Sequence, residues 1–368
     1  MWEKYMKKRL TSLDAVRAFA CICVLFYHMY LWLWGPLGVS IFFVLSGFLS
    51  AYNHLDDMDT EHITLRSSAK MALGKIGKLY PLFLVTLIIP VLFEIYGVVS
   101  GLAPVSDLIL KTAANVLLLQ SWIPLNEYYM SYNAPAWFLS TILFCYLLLP
   151  RFLRWVKKCR SARSALIIII ALWIGNIALC KIVEAICSSV TTDESKIEEI
   201  CTWFCKVFPP IRMGGFIIGC FLAKIFIDCG SKEISPLKGT LAELGAIAVT
   251  IISQLCFDFM LTGLDEANIF VPASCALVYT FAVNGGSISK LLTGKVTAFI
   301  SRISSEIFLI HAVVIKACSP IITYLPISAL AQKIIFVITV PTITVIAAII
   351  STKLRAARLS KRRAAKAA

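Results

Sequence analysis

The chain has 368 residues, 59% hydrophobic and 15% charged, where a soluble domain of this length carries about a quarter charged residues. Lys and Arg total 35 and Asp and Glu 21, a formal charge of +14. The basic residues fall between apolar runs and at both ends, which reads as the positive-inside signal of a membrane protein and not as a nucleic-acid footprint.

Apolar runs of about 18 residues or more recur along the chain, each long enough to cross a bilayer as a helix. No series of ~10-residue alternating segments points to a barrel. The first run, about Leu13 to Trp34, follows Lys4, Lys7, Lys8 and Arg9. It resembles a signal peptide, but it contains Arg17 and lacks a small-x-small cleavage site, so it reads as a retained first span. After a Gly35-Pro36 turn, a second span covers 38–53. The segment 54–78 is polar, carries Arg66, Lys70, Lys75 and Lys78, and reads as cytoplasmic. A third span covers 80–98.

The span over 135–150 is expected to end at Pro150, before the basic cluster Arg151, Arg154, Lys157, Lys158, Arg160 and Arg163. That cluster marks the cytoplasmic side. Parity then forbids a full crossing by 105–122, which contains Asp107, Lys111 and Asn115. This segment reads as a re-entrant or interfacial helix on the outer side. Further spans are expected over 164–186, 209–227, 240–262, 268–285, 297–317 and 331–351. The loop 187–207, with Asp193, Glu194, Glu198 and Glu199, falls outside, and the loops with Lys232, Lys238, Lys290 and Lys295 inside.

The expectation is thus an all-α polytopic bundle of about ten transmembrane helices plus one re-entrant or interfacial segment. It forms a single membrane-embedded domain over 1–353 with a basic tail over 354–368, and both termini are cytoplasmic. Most of the thirteen cysteines lie in apolar runs and read as packing residues. Cys187, Cys201 and Cys205 flank the outer loop, where a disulfide is compatible with the sequence but not required by it.

Ionisable groups at membrane depth are costly and usually face a cavity or a partner. Arg17 and His28 lie eleven residues apart in the first span, so they share one face to within ~20° and are about 16 Å apart along the axis. Taken alone, Arg17 also fits a snorkelling cation and His28 a helix–helix contact. Lys75 and Lys78, three apart, read as neighbours on one helical face at the cytoplasmic mouth of the third span. As point charges they suit phosphate, and equally they mark orientation. Glu306 and His311 share a late span, and Arg212 follows Pro209-Pro210. There is no glycine-rich phosphate loop, zinc-type His-Glu cluster or nucleophile elbow, and Ser46-Gly47 lacks an elbow's flanks.

Five stretches, in order, resemble the membrane acyltransferase 3 family. They are Leu13-Asp14-Ala15-Val16-Arg17 through Tyr27-His28; the run Gly38 to Leu49; Lys75-Ile-Gly-Lys78-Leu-Tyr80-Pro81; Trp137-Phe138-Leu139-Ser140 through Pro150; and Ile303-Ser304 through Ile310-His311. The resemblance covers nearly the whole chain. It implies transfer of an acyl group, acetyl in the first instance, from a cytoplasmic acyl-CoA co-substrate to a hydroxyl of an extracytoplasmic or lipid-linked glycan. It also implies a multi-pass protein of the cell membrane with no permanently bound cofactor, no metal and no nucleic-acid partner.

His28 and Arg17 would then be catalytic. Lys75, Lys78 and Arg17 would hold the donor, with His311, Glu306, Ser46, Trp137 and Arg212 as additional site residues. The chain departs from the family pattern in having Lys for the usual Arg pair, which keeps charge but loses bidentate recognition. It also has Ile142 and Leu143 where many members carry a Glu. A transporter and a catalytically inactive sensor or scaffold are the rival readings. Against the first, no two related halves are visible.

Overall fold

The structure, a computed structural model, describes residues 9–56, 62–229, 234–259 and 266–367. Expectations that fell on Lys4, Lys7, Lys8 and Lys232 lie outside the described residues. Among the described residues the protein is helical and has no strand. In chain order the helices are α1 (Leu13–His28), α2 (Gly35–His54), α3 (Leu65–Ile76), α4 (Tyr80–Val99), α5 (Val105–Val116), α6 (Asn126–Tyr129), α7 (Trp137–Lys158), α8 (Ala162–Val190), α9 (Glu194–Thr202), α10 (Pro209–Cys229), α11 (Pro236–Phe259), α12 (Glu266–Ile269), α13 (Val271–Val283), α14 (Ser287–Leu292), α15 (Lys295–Thr323) and α16 (Ala329–Ala367).

Among the described residues, eight helical runs are long and apolar enough to cross a bilayer: α2, α4, α7, α8, the run through α9 and α10, α11, α15 and α16. The other two expected spans are shorter, α1 with 16 residues and α13 with 13. At 1.5 Å per residue they reach about 24 and 20 Å, against a hydrocarbon core of about 30 Å. Both are packed among other helices, α1 against α2, α13 and α15, and α13 against α1, α2, α10 and α11. The periphery is α4, α8 and α16, whose exposed faces carry Ile88, Leu92 and Phe93, Ile167, Ile170 and Ile174, and Ile338 and Ile346. Helices this apolar all round need lipid against their outer face.

Four sequence expectations change in detail. The first apolar run does not stay helical to Trp34. Tyr30 adopts a left-handed φ of 57°, and the Leu31 N–H bonds back to the Phe26 carbonyl at 3.0 Å, closing α1 at His28. Trp32 and Trp34 then stack at 4.8 Å and fold the chain toward α2. Pro150 does not end its helix. It costs α7 one hydrogen bond, to the Tyr146 carbonyl, but Leu149, Pro150, Phe152 and Leu153 are buried and carry α7 on to Lys158. Arg151, Arg154, Lys157 and Lys158 therefore lie on the last turns of α7 and not in a loop.

The polar segment before the third span contains α3, started by a Thr64–Ser67 capping box. The basic stretch from 354 continues α16 without a break. The segment over 105–122 holds only the 12-residue α5 and a short turn at Gln120–Trp122. At about 18 Å, α5 is too short to cross. Its Lys111 is paired with Glu94 of α4 at 3.5 Å.

Two contacts set the framework around the site. α1 and α15 run parallel: the Ser301 hydroxyl donates to Asp14 at 2.7 Å, Cys21 meets the Ser304 carbonyl, and His28 meets His311. α2 and α10 cross at two glycines, where a side chain at Gly47 would strike the Phe216 carbonyl and one at Gly219 the Val44 carbonyl. Small residues let membrane helices approach to backbone contact. Gly219→Val should therefore destabilise the bundle by about 1–3 kcal/mol, the usual cost of overpacking. Thermal unfolding in detergent would show this as a lowered midpoint, and an unchanged midpoint would refute the close crossing.

Candidate functional site

One end of the bundle carries the start of α1, α3, the last turns of α7 and the end of α16, and is rich in Arg and Lys. At the opposite end a cavity of about 220 Å³ opens. Tyr27, His28, Met130, Trp137, Lys206 and Arg212 line it. His28 reaches the cavity because α1 stops there and the next residues turn away. Trp137 reaches it as the first residue of α7.

The His28 imidazole is fixed by two partners. Its Nδ1 lies 2.9 Å from the Val24 carbonyl and 3.3 Å from His311 Nε2. His311 is fully buried, and its own Nδ1 lies 3.0 Å from the Ile307 carbonyl. A carbonyl only accepts, so His311 Nδ1 carries a proton, and in the neutral ring Nε2 is bare. His311 Nε2 then accepts, His28 Nδ1 carries the shared proton, and His28 Nε2 is left bare. The half-buried ring can take up a proton at that nitrogen, and the resulting imidazolium keeps two acceptors on its Nδ1–H.

A second cluster lies toward the basic end. Tyr146 follows Trp137 by nine residues on α7, about 14 Å along the axis. Its hydroxyl is hydrogen-bonded to Ser46, Lys75 Nζ sits 5.8 Å over its ring, and Arg17 lies in electrostatic reach of Tyr146 and Asp14. Asp14 in turn is paired with Arg9 at 2.8 Å. Arg17 and His28 thus both face α7, one at each level. Burial, then the neighbouring Lys78, lower the pKa of Lys75. Such a site gains most from an anion. Between the two levels Phe42, Phe138 and Phe308 pack edge against face, with Phe138 and Phe308 5.1 Å apart.

The remaining sequence candidates divide. Trp137, Arg212 and His311 gather with His28; Ser46 joins Arg17 and Lys75. Lys78 does not share a helical face with Lys75, because α3 ends at Ile76 and Gly77 caps it; Lys78 is exposed in the connection to α4. Glu306 does not join His311. Five helical steps turn it ~140° away, and it is buried against Arg355 at 2.6 Å. Tyr146 and Lys206 are not among the sequence candidates, and Tyr27 stands there only as a polar neighbour of His28. Lys206 lies in a loop whose acidic residues dominate the sequence, whereas Tyr146 stands out as a hydroxyl-bearing aromatic in the apolar second half of its span. Among the described residues no group of three or more His, Cys, Asp or Glu is placed to hold a metal ion.

Comparison with known proteins decides the class. A family model described as an acyltransferase domain, acyltransferase 3, matches residues 10–352. The chain belongs to the acyltransferase 3 family. It is 26% identical over 335 residues to the acyltransferase MdmB of Streptomyces mycarofaciens, covering 84% of this chain and 79% of that one. It is 24% identical over 343 residues to the peptidoglycan O-acetyltransferase OatA of Listeria monocytogenes, covering 87% of this chain. It spans 51% of that relative's length. No solved structure matches. The protein is therefore a multi-pass membrane O-acyltransferase.

Proposed function

We propose that this acyltransferase moves an acyl group, acetyl in the simplest case, from cytoplasmic acyl-CoA to a glycan hydroxyl bound in the far cavity. The observation that carries the reading is the His28 ring at the cavity wall with its Nδ1 held 2.9 Å from the Val24 carbonyl and 3.3 Å from His311 Nε2, an arrangement that suits Nε2 to accept a proton. The basic end is assigned to the cytoplasm, with both termini, by the positive-inside rule. Arg17 and Lys75 then stand where the donor's phosphates arrive, with Lys78 on the exposed approach. The glycan acceptor draws support from the name of the Listeria relative.

In the proposed step the acceptor hydroxyl gives its proton to His28 Nε2 as its oxygen attacks the thioester carbonyl. The carbon–sulfur bond then breaks, and the thiolate leaves with CoA and recovers a proton from His28. The donor's thin arm must pass the Phe42, Phe138 and Phe308 packing to bring its thioester to this point. A transient acyl-His28 is the covalent variant of the scheme; ping-pong kinetics would establish it, and ternary-complex kinetics the direct route.

Purified protein in lipid discs should consume acetyl-CoA only when acceptor is present. Solute movement without thioester consumption would instead establish the transporter reading. Two further results follow. On a background without reactive native thiols, Ser195→Cys should react with an impermeant thiol reagent added outside intact cells and Arg66→Cys should not. Reversed labelling would overturn the orientation. Lys75→Gln should raise the donor KM about tenfold with a smaller fall in kcat, the loss of one charge-assisted contact. Lys78→Gln should do less, and unchanged donor affinity in the double variant would remove the pair from the site.

A further inference from the structure

A second cavity lies on the back of α1. α1 packs against α2, α13 and α15, and α11 packs against α13 and α14. The gap left between α1 and α11 has a volume of about 260 Å³. Val16 and Phe19 of α1, Ile247 and Ile251 of α11, Phe281 of α13 and Leu292 of α14 line it. Ala15 and Phe19, which both line it, stand two residues either side of Arg17, so they point ~160° away from it. Trp34 closes one end, edge against Phe19 at 6.0 Å. The other end lies at α14. The Ser12 hydroxyl meets the Phe281 carbonyl, which sets the end of α13, and α14 after it, at the basic end of the bundle. Ile251 and Leu292 are 46% and 42% exposed and open the gap to the membrane.

The lining gives water nothing to bind. Thr250 carries the one hydroxyl among the described lining residues, and it donates to the Ala246 carbonyl at 2.8 Å. Apolar cavities of ~150 Å³ stay dry and take up hydrocarbon, and at membrane depth the hydrocarbon at hand is a lipid chain. The basic end of the groove adds charge. Lys238 in the first turn of α11, Lys290 of α14 and Lys295 at the start of α15 are all exposed. The Ser287 N–H donates to the Thr240 hydroxyl at 2.9 Å, which draws the first turn of α11 onto α14. Glu243, at the same junction, is 1% exposed and accepts from the Gly286 and Ile288 N–H groups and the Ser289 hydroxyl, so its charge is enclosed. Lysines at the membrane surface attract anionic headgroups. A zwitterionic headgroup would set its own ammonium against three others.

We infer that this groove holds one anionic phospholipid from the leaflet at the basic end, with an acyl chain between α1 and α11 and its headgroup phosphate at Lys238 and Lys290. The chain fills the space behind α1 and braces the helix that carries Arg17 and His28. The site lies on a face that the acyl-transfer reading does not use, so it stands or falls independently of that reading.

The test uses the whole protein, delipidated in a maltoside detergent, and two probes with matched chains: phosphatidylglycerol and phosphatidylcholine. Native mass spectrometry counts the lipid retained, and thermal unfolding is followed in parallel at low and high salt. Phosphatidylglycerol should bind about tenfold or more tightly than phosphatidylcholine, and the preference should shrink with salt. It should also raise the unfolding midpoint, since a ligand held by the folded state stabilises it. Ile251→Trp and Leu292→Trp, each at an exposed position where a larger ring can be accommodated, should fill the groove and lower retention of both lipids. Lys238→Gln with Lys290→Gln should leave chain binding in place and abolish the preference.

Equal retention of the two lipids by the unaltered protein would overturn the inference. So would undiminished phosphatidylglycerol retention in both tryptophan variants, which would place the lipid elsewhere on the surface, or an unchanged preference in the double glutamine variant, which would take the headgroup away from these lysines.

Discussion

His28→Ala should lower acyl transfer at least ~100-fold while leaving the protein folded and inserted. The size follows from the role: a positioned base contributes typically ~10²–10⁴-fold, and no second side chain in the cavity is placed as His28 is, with one nitrogen fixed by two acceptors and the other bare. The fold should tolerate the change. His28 is the last residue of α1 and half-buried, so its truncation enlarges a cavity that is already open. Acceptor-dependent release of CoA, measured on protein eluting as one peak, checks the prediction. Near-normal turnover would sink the proposed role, and a loss explained wholly by a raised acceptor KM would make His28 a binding group.

Much of this site was legible because a helix converts spacing into direction. The eleven-residue step from Arg17 to His28 put both on one face, and both face α7 in the fold, one at Tyr146 and one at Trp137. Spacing within one helix says nothing about which helix lies opposite. The parallel pairing of α1 with α15, which joins His28 to His311, comes from packing over 283 residues of separation and leaves no local signature. Spacing also misleads where a helix ends early. Lys75 and Lys78 would share a face only if α3 continued, and Gly77 stops it. Length misled in the opposite sense at Pro150, where buried neighbours outweigh one lost hydrogen bond.

Charge was read segment by segment as a mark of orientation, and this hid two roles. Arg355, expected in a basic tail, closes on buried Glu306. Lys206, expected in an acidic loop, lines the cavity. The eight long spans followed from composition alone, since apolar length is all a crossing helix requires. The runs that hold α1 and α13 were marked the same way, but not that each helix stops short of a full crossing, because neighbours, not length, hold them in the bundle.

His311→Leu should lower kcat about 10- to 100-fold with little change in acceptor KM, although His311 does not line the cavity. Its effect runs through His28: the bare Nε2 of His311 is the second acceptor for the His28 Nδ1–H. Removing it frees the ring to turn and to adopt the other tautomer, which would put the proton on the nitrogen that must accept one. It also withdraws an acceptor from the imidazolium formed during transfer, and a hydrogen bond to a charged group is worth about 1.5–3 kcal/mol. The loss should appear in kcat, because the interaction strengthens only as His28 gains charge.

His311→Gln keeps an amide oxygen able to accept at that position and should recover most of the rate. A purely structural role predicts a different pattern. Leucine fills the buried site without a polar group to satisfy, so the unfolding midpoint of His311→Leu should stay near that of the unaltered protein or rise. Thermal unfolding and steady-state kinetics on the same samples separate the two. A fall in rate that tracks a fall in midpoint, or equal rates for the leucine and glutamine variants, would remove His311 from the mechanism.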